Sequence, residues 1–174
     1  MTQLYAIQYT ADIGFEGRIS RTNMPYTTDT GNALYSNPPV RFGDPVAIDS
    51  STGRLRPIGA GDTTAAIYGV IIEEYPSQSW TFPNPAINGS VPSTTNTLTV
   101  LTSGYVIVQL NGATQPAKNG KVWVRTVSGS DTVVGGYSAA QDSTNNFEWV
   151  GARFTGKADA SGNAEIFFIQ NVLT

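Results

Sequence analysis

Hydrophobic and polar positions follow a strand rhythm most clearly along Leu98–Leu110, LTVLTSGYVIVQL, which is closed by Asn111-Gly112. Val, Ile, Leu, Thr and Tyr dominate this run, it contains no proline, and the Asn-Gly pair supplies turn chemistry at its end. Extended chains point alternate side chains to opposite faces. Val100, Val106, Val108 and Leu110 then share one face with Thr102 and Gly104, while Leu101, Tyr105 and Ile107 take the other with Ser103 and Gln109. The end of the run is apolar on both sides, as expected of a strand inside a sandwich or under an interface. A second run, Lys121–Val127 (KVWVRTV), sets Val122, Val124 and Thr126 against Lys121, Trp123, Arg125 and Val127. The two runs are expected to be antiparallel neighbours.

Shorter segments repeat the pattern on both sides of this pair. Val46–Ile48 and Arg54–Ile58 flank a loop, Asp49–Gly53, whose Asp and Gly supply its turn chemistry. Ile67–Tyr75 (IYGVIIEEY) is a strong strand stopped by Pro76, and Asn145–Phe154 is another. Ala152–Phe154 and Ala164–Ile169 form a closing hairpin around Asp159–Asn163. There is no amphipathic helix and no repeat; Gly61–Ala66 is the place for a single helical turn. These elements predict an all-β fold, a compact β-sandwich or barrel-like core of short antiparallel strands over residues 40–174. Residues 1–39 carry Tyr5, Tyr9, Phe15, Tyr26 and Tyr35 among Thr, Asn, Ser and Gly, with a short strand over residues 4–9 and no sustained period from Arg18 to Pro39. They are expected to form an extended N-terminal arm laid along a partner, because tyrosine gives contact area with a polar tip. Residues 76–97 hold four prolines with Trp80 and Phe82, and are expected to be a long loop.

Composition supports the all-β reading and narrows the chemistry. Charged residues are 13% of the 174, with 18 Gly and 10 Pro, the profile of many strands joined by tight turns. The net charge is −3 and no Lys/Arg run is present, so charge gives no reason to expect nucleic acid or an anionic membrane as partner. No stretch has the apolar length of a membrane-spanning helix, and no secretion signal is seen, so synthesis in a cytoplasm is expected. The sequon Asn88-Gly89-Ser90 reads as a turn. Cysteine and histidine are both absent, which removes Ser-His-Asp triads, Cys-His pairs and thiolate or imidazole metal sites. Glu73 and Glu74 are adjacent on a strand and point apart, so they do not form an acid/base dyad. Asp159–Glu165 alternates oxygen ligands but lacks the spacing of a calcium loop, and Gly59–Asp62 lacks the lysine and helix of a phosphate loop. No catalytic, cofactor or metal site is expected. Arg54 and Arg56 share a face of one short strand and read as solvated or as contacts to an acidic neighbour.

Three ordered blocks resemble a known family. Phe42–Ile48, Leu55–Asp62 and Ile67–Ile71 form the first. Ser103–Val108 with Gly120–Arg125 forms the second, and Ala152–Gly156 with Asp159–Phe167 the third; Gly14-Phe15-Glu16-Gly17 matches a glycine-flanked start. Together they resemble the cement, or capsid decoration, proteins of tailed bacteriophages. The resemblance implies a non-enzymatic β-protein on the outer surface of a phage head, clamping adjacent major capsid protein subunits and stabilising the expanded shell. It also implies a homo-oligomer, commonly a trimer at local threefold positions and in some members a dimer at twofolds. The residues expected at the partner interface are Tyr5, Tyr9, Phe15, Tyr26, Tyr35, Arg54, Arg56, Trp80 and Phe82. Other readings are a head fibre or tail component, or a carbohydrate-binding β-sandwich module using Trp80, Trp123 and Trp149 as sugar platforms.

Overall fold

The computed structural model describes residues 13–73, 97–129 and 133–170. Over these the chain is all-β, as the pattern predicted, in one nine-stranded antiparallel sheet curled into a half-barrel. The strands are β1 (Thr27–Asn32), β2 (Pro45–Ile48), β3 (Leu55–Pro57), β4 (Ile67–Ile71), β5 (Thr97–Gln109), β6 (Lys121–Arg125), β7 (Tyr137–Ser138), β8 (Asn146–Phe154) and β9 (Asn163–Ile169). Their order is β3-β2-β4-β5-β9-β8-β6-β7, with β1 also paired to β5. The short helical turn is a 3-10 turn at Thr64–Ala66.

Local chemistry explains the hairpins. In the β2–β3 loop one Asp49 carboxylate oxygen accepts from the backbone N–H groups and hydroxyls of Ser51 and Thr52, while Gly53 supplies a φ of 68°. Asp159 does the same in the β8–β9 turn, accepting from the N–H groups of Ser161 and Asn163, so this loop is a turn stabilised by its own aspartate.

The two strongest runs are not neighbours. β9 and β8 lie between β5 and β6. The closing strand places Ile166 opposite Val106 and Ala164 opposite Val108, matching the apolar side of β5 residue for residue, while β6 pairs with β8 and β7. β6 also stops at Arg125, two residues short of the expected end. β4 ends at Ile71, short of the expected Tyr75: Ile72 and Glu73 lie outside any strand, and Glu74 and Tyr75 fall outside the described residues.

Strand alternation also breaks inside β5. Leu101 packs in the larger core with Val106 and Val108, whereas Val100 packs with Leu98 in a smaller one. The expected grouping of Val100 with Val106 therefore fails. The cause is an irregularity where β1 meets β5, at Thr27/Thr28, followed by Gly104 at φ 138°. One extra residue in a strand transfers everything after it to the other face. Only glycine fits there, since a Cβ on Gly104 would lie 2.8 Å from Tyr26 Cβ.

The larger core joins β5, β6, β8 and β9 through Val106, Val108, Val122, Val124, Phe154, Ile166 and Phe168, all with no measurable exposure. Each such aliphatic contributes about 1.5–3 kcal/mol on burial. Trp149 packs tilted against Phe168, with ring centroids 4.6 Å apart, and is buried, so it is closed to a sugar ring. Tyr137 is also buried, and its hydroxyl donates to the Gly43 carbonyl at 2.8 Å, satisfying the one polar atom it carries inward. Burial lifts its phenol well above the usual range.

Candidate interaction surface

The described part of the expected arm, residues 13–39, is hydrogen-bonded onto the sheet. Gly17 N–H donates to Ile107 O at 2.8 Å, Ile107 N–H to Arg18 O at 3.0 Å, and Ser20 N–H to Tyr105 O at 3.2 Å. β1 continues the segment against the first half of β5, from Thr27 opposite Ser103 to Asn32 opposite Thr97. This strand falls where the sequence shows no period. Its residues, TTDTGN, are nearly all exposed, so no apolar stripe announces it; pairing with β5 makes it a strand. Arg21 fastens the segment further. Its guanidinium lies 4.4 Å above the Tyr105 ring and bonds both oxygens of Glu165 at 3.0 and 2.6 Å. Burial raises the Glu165 carboxyl, but the bonds from Arg21 and Thr155 outweigh it and hold the group below its usual range.

A second tie lies nearby. Gly17 sits so close to Phe42 and Gly43 that a Cβ on it would be 2.4 Å from Phe42 Cβ. Arg41 bonds both oxygens of Asp44 at 3.0 and 2.8 Å, with Glu16 beside them. Burial drives Asp44 up to about 6 against the pull of Arg41, and it raises Glu16 as well.

The residues expected at the interface fall into three groups. Tyr5, Tyr9, Trp80 and Phe82 lie outside the described residues. Phe15, Tyr26 and Tyr35 are exposed large rings, Tyr35 the most at 75%. Phe15 lies 5.7 Å from the Arg18 guanidinium, and Tyr26 covers Gly104. The two arginines separate: Arg56 is half-buried and bonds both oxygens of Asp62 at 2.7 and 2.8 Å, whereas Arg54 is exposed. Asp62 is correspondingly lowered, first by that bond. The structure brings Tyr35 and Arg54 together, with Leu34, Ser36 and Thr52, around a shallow cavity of about 660 Å³. The other arginines are paired: Arg18 with Glu73, Arg21 with Glu165, Arg41 with Asp44, Arg125 with Asp142, and Arg153 with Glu148 at 3.8 Å.

One apolar surface has no counterpart among the expected contacts. Pro38, Pro39, Val40, Pro57, Val133 and Val134 line a groove of about 520 Å³, with Val40 58% and Val133 41% exposed. The signal for it is Pro38-Pro39-Val40 itself, an apolar tripeptide outside any strand. Its other wall comes from residues nearly a hundred positions later, which no local pattern joins to it. Among the described residues, no group of three or more carboxylates is placed to hold a metal ion.

No curated protein matches the chain. A chain of the solved structure described as the capsid of Myoviridae phage XM1 has the same fold, with a TM-score of 0.70 at 16% identity. The match covers 99% of this chain and all of that one. The family model for the XM1 gp53 minor capsid protein matches residues 5–167. With a β-fold of this topology and a family match over nearly its whole length, this chain belongs to the XM1 gp53 minor capsid protein family and is a structural protein of the phage virion.

Proposed function

We propose that the chain is a capsid cement protein. It binds the outer surface of the assembled head, spans adjacent major capsid protein subunits and stabilises the expanded shell, acting through the area it covers and not through bond-making. The observation that carries this reading is the family match over residues 5–167, joined by the three ordered blocks that resemble decoration proteins. The surface chemistry agrees with it. Phe15, Tyr26 and Tyr35 expose aromatic area on the segment that wraps β5, in a protein with little net charge. Aromatic residues enriched at a surface suit a standing protein–protein contact. A protein that binds the expanded shell and not its precursor stabilises the expanded form by mass action, with no chemistry required. A homotrimer is the arrangement favoured by the decoration resemblance. The carbohydrate reading is weakened by the burial of Trp149 against Phe168.

The test is reconstitution. Purified protein added to heads that lack it is expected to co-sediment with them, to label at the outer surface with antibody, and to raise the temperature at which the heads lose DNA. Heads that neither bind the protein nor gain heat resistance would refute the proposal.

A further inference from the structure

Where the N-terminal segment first meets the sheet, it presses against the turn before β2 with no space between them. Gly17 and Gly43 are both buried, and a Cβ on Gly43 would lie 2.9 Å from Gly17 N and 3.2 Å from Glu16 Cβ. The turn is fixed to β4, since Gly43 N–H donates to Ile71 O at 2.8 Å and Ile71 N–H to Asp44 O at 3.0 Å. The segment is tied at Gly17, whose carbonyl accepts from Glu73 N–H at 2.9 Å. This contact brings two carboxylates from separate parts of the chain, Glu16 and Asp44, to one guanidinium, Arg41, which bonds both Asp44 oxygens. The other titratable group facing Asp44 is the buried Tyr137 phenol of β7, which stays neutral and donates to Gly43 O. One cation does not neutralise two carboxylates, and burial penalises the charge left over.

We propose that this junction is a proton-operated latch: with a proton on the Glu16–Asp44 pair residues 14–21 stay closed on β5, and when both carboxylates are charged the segment opens locally while the sheet stays folded. Opening separates Glu16 from Asp44 and lets water reach both, so the open form holds the proton less tightly and gains population as pH rises. The state of the closed form has the matching sign. Asp44 is raised to about 6, by burial first and by Glu16 as well, and burial also raises Glu16. The other charges on the segment are the pairs Arg18–Glu73 and Arg21–Glu165; Glu165, held below its usual range, remains ionised across this window. Opening breaks these ties and the bonds that Gly17, Arg18 and Ser20 make with Tyr105 and Ile107, and so uncovers a length of β5 edge. The inference concerns the folded chain by itself and does not rest on the cement reading.

The experiment is amide hydrogen exchange of the full chain, read by mass spectrometry on peptides covering residues 14–21 and 163–169. Rates are measured between about pH 4.5 and 7.5, with and without low urea, and corrected for the intrinsic pH dependence of exchange. Residues 14–21 are expected to exchange faster than 163–169 and with little dependence on urea, the mark of local opening. Their protection is expected to fall as pH rises through 6, by up to the about thirtyfold that Asp44 supplies over this window if opening returns it to 3.8. Asp44→Asn is expected to remove most of this pH dependence. Glu16→Gln, at a partly exposed position, is expected to reduce it as well. Protection of residues 14–21 that does not change with pH overturns the proposal. So does exchange at the same rate and urea dependence as residues 163–169, because the segment then opens only when the whole sheet unfolds. Wild-type pH dependence kept in both variants also overturns it; if Asp44→Asn is not recovered folded, its retention in Glu16→Gln alone is decisive.

Discussion

Asp44 makes folding stability depend on pH in a direction opposite to that of most carboxylates. Its side chain is 18% exposed, bonded to Arg41, and raised from 3.8 to about 6, chiefly by burial. Between those two values the folded chain holds a proton that the unfolded chain has lost. Stability from this group is therefore complete below about pH 4 and falls as pH rises through 6. The gap corresponds to about 3 kcal/mol at 1.36 kcal/mol per pKa unit, and about 2 kcal/mol of it is lost between pH 4.5 and 7.5. Glu16, raised by the same burial, adds in the same sense. Asp62 and Glu165 are lowered and act oppositely, but mainly below about pH 4.5, outside the window. Urea unfolding followed by tryptophan fluorescence, to which Trp149 buried against Phe168 contributes, reads the effect at pH 4.5, 5.5, 6.5 and 7.5. Wild type is expected to lose stability across this range, while Asp44→Asn, which has no proton to release, is expected to lose about 2 kcal/mol less. An Asp44→Asn protein with the same pH slope as wild type would refute the reasoning, since the proton would then be held elsewhere.

Two further substitutions probe the sheet. Gly69→Ala places a Cβ 2.3 Å from Leu101 O and 2.5 Å from Val100 Cγ1, so β4 and β5 must part; a loss of about 3 kcal/mol or more, the upper end for overpacking, is expected in chemical denaturation. Val108→Asp puts a charge where exposure is zero and Ala164 lies opposite, so the protein is expected to be recovered unfolded; a wild-type melting curve would contradict the placement of β5.

The class of the fold was legible because period-2 alternation is a local property. LTVLTSGYVIVQL, KVWVR and AEIFFI carry their apolar faces within a few residues, and Asp49–Gly53 and Asp159–Asn163 carry their own turns. The absence of His and Cys likewise limits the chemistry through composition alone. Partnership is not local. Which strand lies beside β5 depends on whether Ile166 and Ala164 or Val122 and Val124 match its apolar side, a choice made only when all the strands compete for it. The face flip near Gly104 depends on β1, a strand with no apolar stripe, and so could not be seen in β5 alone. The interface candidates divide in the same way. Sequence marks Tyr35, Arg54 and Arg56 as exposed chemistry. Folding brings Asp62 to Arg56 and leaves Arg54 beside Tyr35, because a salt bridge needs a partner within about 4 Å and only the tertiary structure sets that distance.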